Sequence, residues 1–156
     1  MLKDIAASLT AMLLAVPVLA ADVSYRKDIA PLFQARCAAC HGAQSPYLGD
    51  FLENEKKYRE QTKGPRMDTY ADLISFVVWP DTGAIMRRLD DGSNTAGRKP
   101  GNMYQYLGAT DEERQRNLKV FKTWVGEEGW FLKRWETKGD VPAVTKEELN
   151  KIKVKY

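Results

Sequence analysis

Cys37-Ala38-Ala39-Cys40-His41 is the stretch on which the reading of this chain turns. The chain has 156 residues with two cysteines and one histidine, and all three stand within these five positions. C-x-x-C-H reads as a c-type haem attachment site. Two thiols three residues apart on a helical turn share one face, at the separation of the two haem vinyl groups, to which they add as thioethers. His41, next along, points its imidazole at the iron as the proximal axial ligand. Ala38 and Ala39 are small and leave the turn free to lie against the haem edge. A thioredoxin-like dithiol would want a surrounding βαβ pattern, which is not visible. A zinc site would lack a fourth ligand. The expected cofactor is therefore one covalent haem c, bound through Cys37 and Cys40, with its iron on His41.

Composition narrows the field around that motif. One histidine rules out a His-His-carboxylate metal site and a haem held by two histidines. Two cysteines rule out an iron–sulfur or zinc site of four thiolates within one chain. The length fits one small domain, and 44% hydrophobic with 29% charged residues fits a soluble one with a core. A net charge of +3 does not argue for nucleic acid. No tandem repeat, phosphate-binding glycine loop or catalytic triad is present.

Upstream, Met1-Leu2-Lys3-Asp4 precedes an uncharged apolar run from Ile5 to Ala20. The run falls short of the roughly 20 residues needed to span a bilayer. Val18 and Ala20 suit the −3 and −1 positions of a cleavage site, so residues 1–20 read as a secretory signal peptide cut after Ala20. Lys3 and Asp4 cancel, and the mature charge stays +3. The expectation is a periplasmic protein of residues 21–156, one domain with an extension over 127–156, and no membrane association after cleavage.

The motif has its own helix. Pro31 is tolerated only in a first turn, so a helix is expected from Asp28 or Ile29, with Asp28 as N-cap. Ile29, Leu32, Phe33 and Cys37 recur at helical spacing and form an apolar face. The sixth iron ligand is sought among the methionines, since Met/His ligation suits electron transfer. Met67, Met86 and Met103 remain after the signal peptide. Met103 follows the Pro100-Gly101 turn on a loop able to cross the haem face. Met86 is the runner-up, with a core position beside Ile85 and Leu89 as its plainer role. Met67, beside Gly64 and Pro65, is third. After Met103 a helix starts at Thr110, with Glu113 completing a capping box. Leu118, Phe121 and Val125 line one face with Trp124 beside it, and Gly126 can end the helix.

Phe33 four residues before Cys37, the C-x-x-C-H run, Pro100-Gly101-Asn102-Met103 and the terminal aromatic helix together resemble class I cytochromes c. The likeness covers Ser24–Gly42 and Pro100–Gly126. It implies an all-α fold in which the N- and C-terminal helices cross beside one covalent haem, and a loop between them supplies the methionine. On that likeness Phe33 takes the N-helix contact position, while Leu118, Phe121, Trp124 and Val125 are its C-helix partners. It implies Met103 as ligand, although one residue separates it from Gly101 where mitochondrial forms have two. A narrower similarity is to the small periplasmic monohaem cytochromes of iron-oxidising bacteria (the Mto-type carrier). Class I proteins also use a proline carbonyl to fix the proximal histidine. Neither Pro46 nor Pro65 sits at the usual distance from His41, so that role is unassigned.

The rest exceeds a minimal haem wrapper. Residues 44–66 read as a polar surface insertion with a short exposed helix. Thr69 to Trp79 reads as a core helix on Tyr70, Leu73, Ile74 and Val77, with a strand at Val77-Val78 as the competing assignment. Trp79 is a candidate for the haem edge, and Arg87 or Arg88 for a propionate. Trp130 and Trp135 suggest a tail packed on the domain. A last helix starts at Thr145 and runs through Leu149 and Ile152.

Two axial ligands leave no room for substrate, so the expected function is an electron carrier and not an enzyme. It would be a monomer that meets redox proteins transiently. The alternatives are a haem protein with an open axial site for gas or peroxide, and a small haem subunit of a larger oxidoreductase.

Overall fold

Ser24 opens the first helical segment four residues earlier than Asp28. Its hydroxyl accepts the Lys27 N–H (3.3 Å), and the Asp28 carboxylate accepts the Ser24 N–H (2.8 Å). Asp28 thus caps from inside the turn. Pro31 does not force a later start, because Tyr25–Ile29 forms a π turn in which the Ile29 N–H reaches back to the Ser24 carbonyl. Regular helix α1 then runs over Ala30–Arg36 with proline in its first turn, where a missing N–H costs nothing.

The computed structural model describes residues 22–78, 82–130 and 144–156, and among these there is helix, turn and loop but no strand. The expected signal peptide at 1–20, Trp79 and Trp135 lie outside the described residues. After α1 come α2 (Ala38–His41), α3 (Leu48–Glu53), α4 (Glu55–Glu60), α5 (Tyr70–Ile74), α6 (Ala84–Leu89), α7 (Asp111–Val125) and α8 (Lys146–Leu149). Among the described residues no helix is long and apolar enough to cross a membrane.

Helix α7 is the long strut. Thr110 caps it by accepting the Glu113 N–H (3.2 Å). The Glu113 carboxylate takes the N–H of Ala109 (2.7 Å), one residue before the cap. Asp111, Glu112 and Glu113 put negative charge at the positive end of the helix dipole. Its apolar face, Leu118, Phe121, Trp124 and Val125, is buried in one cluster with Ile29 and Phe33 from the N-terminal segment. The Tyr25–Ile29 turn packs directly on α7, so the N-terminal helical segment meets the long aromatic helix that the resemblance paired with it.

Three predicted elements differ. Helix α5 stops at Ile74, and β-branched Val77 and Val78 follow in turns closed on Ile74. Leu73 and Val77 are still fully buried. Residues 44–66 form two short helices, joined by a stack of Phe51 on Tyr58 at 6.3 Å. Helix α8 has the expected capping box at Thr145 and Glu148 but ends at Leu149, before Ile152.

The chain end is a strap. The N–H groups of Lys153 and Val154 donate to the carbonyls of Val125 (2.8 Å) and Trp124 (2.9 Å). The Lys155 carbonyl receives both the Tyr25 N–H (2.8 Å) and the Trp124 indole N–H (2.9 Å). Gly126, at φ +103, lets the strap pass, since a Cβ there would lie 2.6 Å from the Lys151 carbonyl oxygen. Tyr156 stacks on Tyr25 at 5.8 Å and meets Tyr70 edge-on at 4.9 Å, under the Arg26 guanidinium.

Candidate haem site

Cys37 sits where α1 gives way to α2, and its backbone serves both. Its N–H closes on the Phe33 carbonyl (2.8 Å), and its own carbonyl receives Cys40 (3.1 Å) and His41 (3.0 Å). This tight turn holds both sulfurs and the imidazole on four consecutive backbone steps. The cysteines are half-buried and not bridged to each other. Burial, with the neighbouring Cys40, pushes the Cys37 thiol up to about 12.

The His41 ring is oriented by Pro65. Its Nδ1 lies 2.8 Å from the Pro65 carbonyl oxygen. A carbonyl only accepts, so Nδ1 carries the proton and Nε2 keeps its lone pair for a metal. Burial holds the imidazole pKa below its usual range, opposed by the Pro65 bond and aided by the positive charge of Arg88. The neutral, ligating form is therefore favoured. Gly64 lies flat against the ring, where a Cβ would come 2.1 Å from Cε1. The proline role left unassigned from sequence thus belongs to Pro65, twenty-four positions past His41.

The polar insertion delivers that proline. After α3 and α4 the chain returns along the motif. Gly64 N–H donates to the Cys40 carbonyl (2.8 Å), Met67 N–H to the His41 carbonyl (2.9 Å) and the Lys63 ammonium to the Ala39 carbonyl (3.1 Å). The Ser45 hydroxyl adds a second bond to the Cys40 carbonyl (2.8 Å). These bonds satisfy the carbonyls that a one-turn helix leaves open.

Of the methionines, Met86 is fully buried within the core on α6, which is the plainer of its two predicted roles. Met67 is half-buried against the core. Met103 is also half-buried at the core's edge, at the start of the Tyr104–Leu107 3₁₀ turn. Its loop runs on the carbonyls of α6: Gly101 N–H donates to Asp90 (2.8 Å) and Met103 N–H to Arg88 (3.0 Å). The Arg88 guanidinium, exposed, donates to the Asn102 side-chain oxygen (3.1 Å). Arg88 therefore bonds to the loop of Met103, and its positive charge is also felt by the His41 ring. Arg87 is half-buried beside it, and Phe33 is buried in the core.

This donor set fits a covalent haem: two unbridged thiols, a neutral histidine with Nε2 available, a glycine where the ring would otherwise be displaced, and a thioether on a separate loop. Pro65, Gly64 and the buried Asp90 beside the methionine loop were missed from the sequence. The Gly64-Pro65 dipeptide is a turn signal, but nothing local says which side chain its carbonyl will meet.

Comparison with known proteins agrees. The family model described as "PccH Cytochrome c" matches residues 24–156. A solved monohaem cytochrome PccH from Geobacter sulfurreducens is 56% identical, with a TM-score of 0.76, over 86% of this chain and 98% of that one. No curated protein matches this chain.

Proposed function

Since the chain belongs to the PccH cytochrome c family, whose members are monohaem electron carriers and not enzymes, we propose that it carries electrons in the periplasm, between redox proteins, on an iron ligated by His41 and Met103. The observation that carries this reading is the 2.8 Å bond from His41 Nδ1 to the Pro65 carbonyl, which leaves Nε2 as the metal-facing nitrogen. When bound, the haem supplies a one-electron Fe(III)/Fe(II) couple.

The residues do the rest. Cys37 and Cys40 would hold the macrocycle through thioethers. His41, tied to Pro65 and braced by Gly64, would ligate the iron through Nε2 without a change of tautomer. Met103 would offer its sulfur as the second protein ligand, from a loop pinned to α6 at Arg88 and Asp90. A ligand pair fixed in this way would reorganise little when the iron changes charge. Arg87 or Arg88 would pair with a propionate. Residues 1–20 would export the chain and be removed. Its partners would dock weakly and briefly, as small redox interfaces do.

Substitution separates the methionines. Met103→Ala should abolish the weak sulfur-to-iron absorption band at the red end of the ferric spectrum, while Met86→Ala should keep it and lower stability by about 2–5 kcal/mol as a core truncation. Loss of the band in Met86→Ala alone would reverse the assignment.

A further inference from the structure

Asp90 is fully buried, and its carboxylate sits in a ring of N–H donors. Oδ2 accepts the backbone N–H of Gly92 (2.9 Å) and Asn94 (3.3 Å), and Oδ1 accepts the Asn94 amide (2.8 Å) and the Trp130 indole N–H (3.2 Å). Four donors on an acceptor-only group are the full complement of an ionised carboxylate. Burying it is affordable only because each lone pair is used.

Two features make this more than a satisfied core residue. The same residue's carbonyl receives Gly101 N–H, two positions before Met103. Its indole partner comes from beyond α7, in the part of the chain that a minimal haem wrapper does not need. Trp130 is buried, and the segment just before it carries the strap, with the Lys151 carbonyl packed over Gly126 and Gly129. On the other flank, Gln115 of α7 donates to Asp91 (3.0 Å) and to the Tyr104 hydroxyl (3.0 Å), directly after Met103.

We infer that Asp90 is a positioning residue for the sulfur ligand, and that Trp130 clamps it, so that the C-terminal extension sets how readily the Met103 loop leaves the iron. This rests on Met103 being the ligand. Trp130→Phe deletes the N–H and keeps an aromatic side chain, smaller by one ring. Asp90→Asn keeps the shape but turns an N–H toward other N–H donors.

The test uses the ferric holoprotein and imidazole as the probe, well below the unfolding temperature. Imidazole can bind only after the sulfur departs, so its binding rate, read as loss of the red band, reports loop opening. Loss of a hydrogen bond to a charged group should raise that rate about tenfold in Trp130→Phe, with more in Asp90→Asn, at unchanged haem content. A role confined to stability would lower the melting temperature and leave the imidazole rate unmoved, which would overturn the inference. If Asp90→Asn does not fold, Trp130→Phe decides alone. Retention of the band in Met103→Ala would instead sink the ligand assignment on which the inference stands.

Discussion

Gly64 is the residue whose replacement reads the site most sharply. Any Cβ comes 2.1 Å from the His41 ring, far inside van der Waals contact, so Gly64→Ala must push the imidazole or the Pro65 carbonyl aside. The expected cost is about 1–3 kcal/mol, with holoprotein yield lowered and the His41–Pro65 bond lost in the variant's structure. Unchanged haem content and stability would show that the ring does not depend on this contact. Legibility at this scale follows chemistry and distance. Cys37, Cys40 and His41 were readable because thioether formation and ligation demand that spacing. Phe33 was readable from helical periodicity, and it is buried as that periodicity requires. Pro65 was not readable, because a carbonyl acceptor is common to every residue and only the path of the insertion brings this one to Nδ1.

Elements show the same division. Helix α7 was legible from its cap to Gly126, because its apolar period and capping residues agree. The start of the N-terminal segment was misjudged because Asp28 caps in reverse and a π turn absorbs Pro31. The length of α5 was overestimated because Val77 is buried after a turn, at a spacing that a continued helix would also give. The loop between α6 and α7 carries a pH signature. Burial raises the Asp91 carboxyl pKa, but hydrogen bonds from Ser93 and Gln115 and the charge of Lys122 outweigh it and hold the group at about 2. A depressed folded-state pKa contributes stability that is fully present above the ordinary value of 3.8 and is lost as pH falls from about 4 toward 2. Asp91→Asn should therefore cost about 1 kcal/mol at neutral pH after solvent screening. It should also flatten the acid limb of the stability profile, measured by denaturant melts across that window. The strap makes a second prediction. Removing residues 151–156 deletes five hydrogen bonds to Tyr25, Tyr70, Trp124 and Val125 together with the Tyr156 stack. At about 1 kcal/mol net for each bond, the loss should reach about 5 kcal/mol in a thermal or denaturant melt.

Over the whole molecule, the chain spends its length on two jobs beyond wrapping a haem. Residues 44–66 were read as a solvated insertion, yet their return path supplies the proximal hydrogen bond. The tail reads from sequence as packed on the domain, and in the described residues it ties the N-terminal helical segment to α7. The likeness to carriers of iron-oxidising bacteria stays with the sequence motifs that prompted it. A net charge of +3, offset by two propionates, leaves little long-range field. An electron carrier needs an iron with both axial positions filled by protein. The direct measurement is the absorption spectrum of the reduced holoprotein with and without carbon monoxide at neutral pH. A spectrum left nearly unchanged over minutes is the result the His41/Met103 pair predicts. Prompt conversion to a carbon monoxide adduct would mean an open axial position, and would contradict the carrier account.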